Sequence, residues 1–268
     1  MLTVKPSMEK LRWIMQQLRD PKTGCPWDLK QTFASVIPHT IEEAYEVADA
    51  IEQGDFTELE KELGDLLFQV VFYSQLGAEE KRFDFDSVVA AVCEKLIRRH
   101  PHVFALSDFS SDAEIKANWE NEKAKERQQK NNDQALSVLA DIPKSLPALS
   151  QAAKIQKRCA HVGFDWNNID DVFAKVEEEV QEVKAELHQN EMALAEELGD
   201  LMFAVVNLCR HAKQDPEALL RQANTKFTKR FNSVEKQVQI SNKTFEQHSL
   251  AELEAYWQQV KLNEKSAH

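Results

Sequence analysis

Thr40-Ile41-Glu42-Glu43-Ala44-Tyr45-Glu46-Val47 decides the architecture, because its pattern returns as Val176-Glu177-Glu178-Glu179-Val180-Gln181-Glu182-Val183. Downstream, Glu62-Leu63-Gly64-Asp65-Leu66 returns as Glu197-Leu198-Gly199-Asp200-Leu201. Lys95-x-x-x-Arg99 returns as Lys226-x-x-x-Arg230, and Trp119-x-x-x-Lys123 as Trp257-x-x-x-Lys261. The offsets are 136, 135, 131 and 138. They drift but keep their order, which is the mark of a duplicated unit with insertions and deletions in its loops.

Each unit reads as helices. Ile41, Ala44, Val47, Ala48 and Ile51 follow the i, i+3, i+4, i+7 spacing of one helix face. Pro38 suits the first turn of that helix, and Gly54-Asp55 closes it and opens the next. Further helices are predicted from about Ser7 to Arg19, Thr57 to Gly77 and Phe85 to His100, with a fourth around Trp119. No alternating stretch has the length of a strand, and Gly and Pro number only 6 and 8, so the fold class is all-α. The predicted domains are 1–125 and 141–268, with 126–140 as a linker. The Lys116 to Asp133 stretch, rich in Glu, Lys, Gln and Asn, reads first as a solvated helix and then as that linker.

Bulk properties exclude several classes. A net charge of −12 disfavours a nucleic-acid partner, which calls for a basic patch. No apolar run approaches the ~18 residues of a bilayer span, and Met1 to Lys10 lacks the apolar core of a signal peptide, so a cytoplasmic protein without a membrane partner is expected. Cys25, Cys93, Cys159 and Cys209 form no C-x-x-C pair and read as reduced and mostly buried.

The acidic cluster carries the chemistry. Glu43 and Glu46 are three apart, so they share a helix face; Glu62 and Asp65 do the same on the next helix. A short connection makes the two helices antiparallel neighbours, so four carboxylates converge. Leu63, Leu66, Leu67, Phe68, Val70, Val71 and Phe72 cover nearly the whole circumference of the second helix, as Leu198, Leu201, Met202, Phe203, Val205, Val206 and Leu208 do in the second unit. A helix apolar all round is buried, which places Asp65 and Asp200 at the edge of buried surface. Each unit then needs cover, from the other unit or from a homodimer partner, and the dimer is the preferred expectation. Buried like charges need a cation, and oxygen ligands without His or Cys select Mg²⁺, with Mn²⁺ as the alternative. Di-iron bundles use Glu-x-x-His, and none of the 8 His has an acid three residues before it.

Basic and aromatic groups recur beside the cluster. Lys226 with Arg230, and Lys95 with Arg99, suit a polyphosphate; Trp119 and Trp257 suit a base. No Walker loop or G-x-G-x-x-G is present, so phosphates must be handled by metal and side chains.

With these motifs stand Gly24-Cys25-Pro26-Trp27-Asp28, Arg98-Arg99-His100-Pro101-His102-Val103-Phe104, Lys154-Ile155-Gln156-Lys157-Arg158 and Gly163-Phe164-Asp165-Trp166. Together they resemble the MazG family of nucleoside triphosphate pyrophosphohydrolases over essentially the full length. The resemblance implies two tandem MazG-type helical bundles, a homodimer, Mg²⁺, and cleavage of NTPs and dNTPs to monophosphate and pyrophosphate. It implies Glu179, Glu182, Glu197 and Asp200 as metal ligands and catalytic acids, with Glu43, Glu46, Glu62 and Asp65 matching them in the first unit. Lys226 and Arg230 would bind phosphate and Trp257 the nucleotide.

Two points remain open at this stage. Lys175 lies four residues before Glu179, on its helix face and within reach of a phosphate, whereas the position four before Glu43 is His39. The second unit is therefore expected to be the main catalytic one. The run Glu177-Glu178-Glu179 leaves the register of the leading ligand open, with Glu178 as the alternative. The competing readings are a non-enzymatic helical scaffold or regulator, and a related all-α enzyme acting on dUTP or phosphoribosyl-ATP.

Overall fold

A computed structural model describes residues 6–105, 111–130 and 137–266. All its regular elements are helices, in two compact units, Met1–Lys125 and Glu126–His268.

The first unit opens with α1 (Met8–Leu18), where the Ser7 hydroxyl accepts from the Lys10 N–H. Its centre is a hairpin of α2 (Phe33–Gln53) and α3 (Phe56–Glu79). Gly54 takes φ +72° at the end of α2, a left-handed conformation that glycine adopts without strain. The Asp55 carboxylate then accepts from the N–H groups of Thr57 and Glu58 to start α3. α2 begins earlier than expected, and Pro38 lies inside it rather than in its first turn. Thr32 and Ser35 cap each other reciprocally and satisfy the first donors there. The unit continues with α4 (Phe85–Arg99), α5 (Pro101–Phe104) and α6 (Asp112–Lys130), whose last turn passes the boundary at Lys125. Since α6 is helical through Lys130, it extends into the stretch predicted as linker; residues 131–136 lie outside the described ones.

The core of this unit is Met15, Val36, Val71, Phe72 and Leu76, with Phe68 and Tyr73 against it. Arg19 is buried beside it. Its guanidinium donates to both oxygens of Glu79 at 2.9 and 2.6 Å and to the carbonyl of Asp28.

The second unit repeats the plan with α7 (Ala148–His161), the hairpin α8 (Ile169–Glu186) and α9 (Glu191–His211), then α10 (Pro216–Ile240) and α11 (Leu250–Ser266). Asn168, Asn190 and Asp215 cap α8, α9 and α10 with side-chain oxygens. Val234, Val238 and Val260 form a small core between α10 and α11, with Trp257 packed on it.

As expected of helices that one unit alone does not cover, α3 and α9 are not enclosed on every side within their units. Leu63, Leu67 and Val70 on α3 are exposed, and so are Leu198, Met202, Phe203 and Val205 on α9. Within a unit, α3 packs on α1, α2 and α4, and α9 on α7, α8 and α10, which leaves an apolar stripe uncovered. Asp65 and Asp200 are exposed, not at a buried edge. The cysteines also differ from expectation: all four are free thiols, but Cys93 is exposed and the other three are half-buried. No helix among the described residues is long and apolar enough to cross a membrane.

Candidate metal and nucleotide site

Both hairpins bring acids together. In the first unit, carboxylate oxygens of Glu43, Glu62 and Asp65 lie within 4.8 Å of one another. Glu46 stays outside this trio, although its carboxyl hydrogen-bonds to that of Glu43. Burial raises the Glu43 carboxyl above its ordinary range, and the charges of Asp65 and Glu46 push the same way. Glu62 is raised as well, by desolvation and then by Glu46.

In the second unit the trio is Glu179, Glu182 and Glu197, again within 4.8 Å. Asp200 lies outside it but shares a cavity wall with Glu179. Burial lifts the Glu182 carboxyl, followed by the hydrogen bond and charge of Glu179 and the charge of Glu197. Glu179 is the deepest of these acids, 4% exposed, and its Oε2 is buried with no hydrogen-bond partner. The alternative ligand Glu178 is exposed on the helix and holds Lys175 at 2.9 Å.

Lys175 also reaches Glu179 Oε1 at 2.8 Å. Those two hydrogen bonds, Glu179 first, raise its pKa and keep it charged. In the first unit His39 lies 3.7 Å from the neighbouring Glu42 and edge-on to Trp27, with ring centroids 5.9 Å apart.

Beside the second trio is a cavity of about 160 Å³. Phe164, Trp166, Val172 and Phe203 give it apolar walls, and Lys175, Glu179 and Asp200 line it too. Gln156, Asn207, Arg210 and Asp165 add polar groups. Arg210 donates to Asp165 through both terminal nitrogens at 3.0 and 2.5 Å, and to Asn207 Oδ1 through Nε at 2.9 Å. Lys175, Glu179 and Asp200 were expected site residues; the other lining residues were not, and the motifs Lys154-Ile155-Gln156-Lys157-Arg158 and Gly163-Phe164-Asp165-Trp166 were the visible signal of Gln156, Phe164, Asp165 and Trp166.

The remaining expected site residues sit elsewhere in the unit. Lys226, Arg230 and Trp257 do not line this cavity. Lys226 is exposed on α10. Arg230 pairs with Glu264 at 2.9 Å and lies 5.9 Å over the Trp257 ring, which also meets Phe227 at 5.1 Å. In the first unit Trp119 donates to the Arg99 carbonyl at 2.9 Å, so its indole ties α6 to α4.

A cation fits this donor set. Three carboxylates meet within one coordination sphere's reach, Lys175 pairs with one oxygen of Glu179, and the buried Oε2 has no donor, so an oxygen-binding cation has an acceptor left to meet. The ligands are hard oxygens, the preference of Mg²⁺ and Mn²⁺.

Comparison with known proteins agrees with the repeat. The family described as MazG nucleotide pyrophosphohydrolase domain matches residues 31–104 and again 168–239. The chain is 52% identical to the nucleoside triphosphate pyrophosphohydrolase of Escherichia coli K12 over 260 residues, covering 96% of this chain and 98% of that protein. It is 41% identical to the nucleoside triphosphate pyrophosphohydrolase/pyrophosphatase MazG of Thermotoga maritima, covering 94% and 95% of the two chains. It is also 40% identical to the uncharacterized protein YabN of Bacillus subtilis, over 95% of this chain and 51% of that one. Two matched α-hairpins, each with its converging acids, and full-length relatives establish that the chain belongs to the MazG nucleotide pyrophosphohydrolase family, with the family's domain present twice.

Proposed function

We propose that the second unit is a Mg²⁺-dependent nucleoside triphosphate pyrophosphohydrolase that cleaves NTPs and dNTPs to the monophosphate and pyrophosphate. The observation that carries this reading is the placement of Glu179. Its unpartnered Oε2 lies in an acidic trio, and the same residue lines an aromatic cavity with Lys175. A cation, a phosphate chain and a ring therefore find their counterparts side by side.

Glu179, Glu182, Glu197 and Asp200 would hold the metal, with Mn²⁺ able to replace Mg²⁺. When bound, the metal supplies charge neutralisation and polarisation of phosphate oxygens. One carboxylate takes the proton of the attacking water. The water oxygen bonds to phosphorus, the anhydride bond between the α- and β-phosphates breaks, and pyrophosphate leaves. Lys175 neutralises charge on the phosphate chain. Lys226, Arg230 and Trp257 are assigned to more distal phosphate and nucleotide contacts, which requires Arg230 to exchange Glu264 for substrate. Glu43, Glu46, Glu62 and Asp65 form a second, weaker metal set.

The uncovered apolar stripes, including Leu63 and Val70 on α3 and Met202 and Val205 on α9, support a homodimer. Its substrates would be the cytoplasmic nucleotide pool.

Phosphorus NMR of ATP turnover tests the reaction. AMP and pyrophosphate are expected, with activity lost on adding EDTA and restored by Mg²⁺. Release of ADP and orthophosphate would overturn it. Sedimentation at micromolar concentration tests the dimer, and a monomer there would remove it.

A further inference from the structure

The cavity exists because the second unit lacks core side chains that the first unit has. On α3, Gln69 and Phe72 are buried. The matching positions on α9, set by Asp65 and Asp200, are Ala204 and Asn207. On α1, Met15 stands three residues before Leu18, whose carbonyl accepts the returning N–H of Cys25. On α7, Gln156 stands three residues before Cys159, whose carbonyl accepts the returning N–H of Phe164. Thus Met15 and Phe72 belong to the first unit's core and Gln69 is buried beside them in sequence, where Gln156, Ala204 and Asn207 line a cavity in the second.

Met15 against Gln156 and Phe72 against Asn207 exchange an apolar side chain for an amide, and Gln69 against Ala204 removes side-chain volume; a few polar groups in an otherwise apolar wall fix a ligand's orientation. Its volume, about 160 Å³, compares with the roughly 150 Å³ apolar cavity that takes up a benzene ring. Gln156 is 7% exposed, and its Nε2 donates to the Phe203 carbonyl at 2.8 Å. That bond sets the amide orientation. Its Oε1 is thereby an acceptor, screened from solvent and without a partner.

Resting on the nucleotide reading above, we infer that this cavity is the nucleobase subsite and that Gln156 Oε1 selects bases carrying an N–H donor on the ring edge. Trp166, Phe164 and Phe203 provide the apolar faces around the ring. Ala204 leaves the space, and Asn207, held by Arg210, lines the wall beside them. The acceptor demands a donor such as an exocyclic amine or a ring N–H, because a buried acceptor left unpaired on binding weakens the complex. The first unit has a methionine at this position.

Purine riboside triphosphate, which is ATP without its exocyclic amine, is the probe. Calorimetric affinity and turnover are measured for both nucleotides on the full-length wild type, Gln156→Met and Asn207→Phe. Wild type is expected to favour ATP by about tenfold or more, the worth of one buried hydrogen bond. Gln156→Met installs the first unit's residue at similar volume and removes the preference. Asn207→Phe fills the cavity and weakens both nucleotides alike, with unchanged thermal melting as the folding control. A wild type that binds both equally, or a Gln156→Met variant that keeps the preference, overturns the inference while leaving hydrolysis untouched. A preference seen in binding without turnover of any triphosphate supports the subsite and sinks the hydrolase reading instead.

Discussion

In the α2–α3 hairpin the leading acid, Glu43, is half-buried and the residue one turn before it is His39. In the α8–α9 hairpin the leading acid, Glu179, is 4% exposed and the residue one turn before it is Lys175. Both hairpins draw three carboxylates within 4.8 Å, so the ability to gather acids is common to them. What separates them is the wall. In the first unit the matching wall positions Met15 and Phe72 are fully enclosed in the core. Around Glu179 the packing opens into a cavity rimmed by a lysine. A duplicated ligand set is thus compatible with two different jobs, and the residues that decide between them lie behind the acids.

The largest expected effect concerns that packing. Phe72→Ala should cost about 3–5 kcal/mol, the usual loss for emptying a filled aromatic core position. Asn207→Ala should cost only about 1 kcal/mol, since it removes one hydrogen bond to Arg210 beside space that is already open. Native-state hydrogen exchange of α3 and α9 amides in the full chain reads the two units separately. Equal losses would mean that the two interiors are packed alike, and the comparison would fail at its base.

Activity comes next. Glu179→Ala should lower kcat/KM for MgATP by about 100-fold or more, because even groups supporting metal ligands are worth 10–100-fold. Glu43→Ala should leave most of the turnover. The reverse result, with Glu43 essential and Glu179 dispensable, would move the active centre to the first unit.

A smaller effect is expected from the flanking cation. Lys175→His installs the residue found beside Glu43, and should lower kcat/KM by about tenfold, the scale of one charge-assisted contact. It should also create a pH limb. An imidazole is charged below about 6.5 and neutral above it, so the variant's activity falls as pH rises through that value. The wild-type ammonium is held charged by Glu179 and Glu178 and shows no such limb. A variant with wild-type rate and a flat profile would show that the lysine only pairs with its neighbouring acids.

Periodicity and repetition made the helices, the hairpin turn at Gly54-Asp55 and the pairing of acids legible, because each follows from spacing along the chain. Burial was less legible. The apolar girdle of α3 and α9 implied enclosure, but composition does not tell which neighbours are present to cover it. Pro38 misplaced the start of α2, since the stronger local signal was the reciprocal cap of Thr32 and Ser35. Lys226 and Arg230 share a helix face by spacing, yet in the folded unit Arg230 is engaged by Glu264 and stands over Trp257 of α11. The cavity was hidden for a different reason. Its defining feature is side-chain volume missing at Ala204 and Asn207, and absence is visible only when the second unit is laid on the first.

The smallest expected effect tests whether the two units are braced alike. Each ties its loop-and-helix framework with an acid and an arginine, but with the partners exchanged. In the first, Arg19 at the end of α1 holds Glu79 on α3; in the second, Arg210 on α9 holds Asp165 in the loop after α7. Hydrogen bonds from Arg19 hold the Glu79 carboxyl below its ordinary range, against a partial opposing effect of burial. Burial pushes the Asp165 carboxyl up, but hydrogen bonds from Arg210 and His211 outweigh it, and the net direction is again down. A depressed carboxyl contributes stability that is fully present above its unfolded value, near 4, and is lost as pH falls through the folded value. Glu79→Gln and Asp165→Asn should therefore lower the melting temperature near neutral pH by no more than a few degrees each. Their difference from wild type should shrink as the solution is taken below about pH 4. The Glu79 variant should show the larger shift, because Arg19 is the more deeply buried arginine and also lies 5.4 Å over the Phe72 ring. Losing the Glu79 charge leaves a buried cation against the core with only the Asp28 and Gln31 carbonyls as acceptors, whereas the less buried Arg210 keeps Asn207 and the open cavity beside it. A larger shift for Asp165→Asn would mean that the cavity wall, not the filled core, is the more tightly braced of the two.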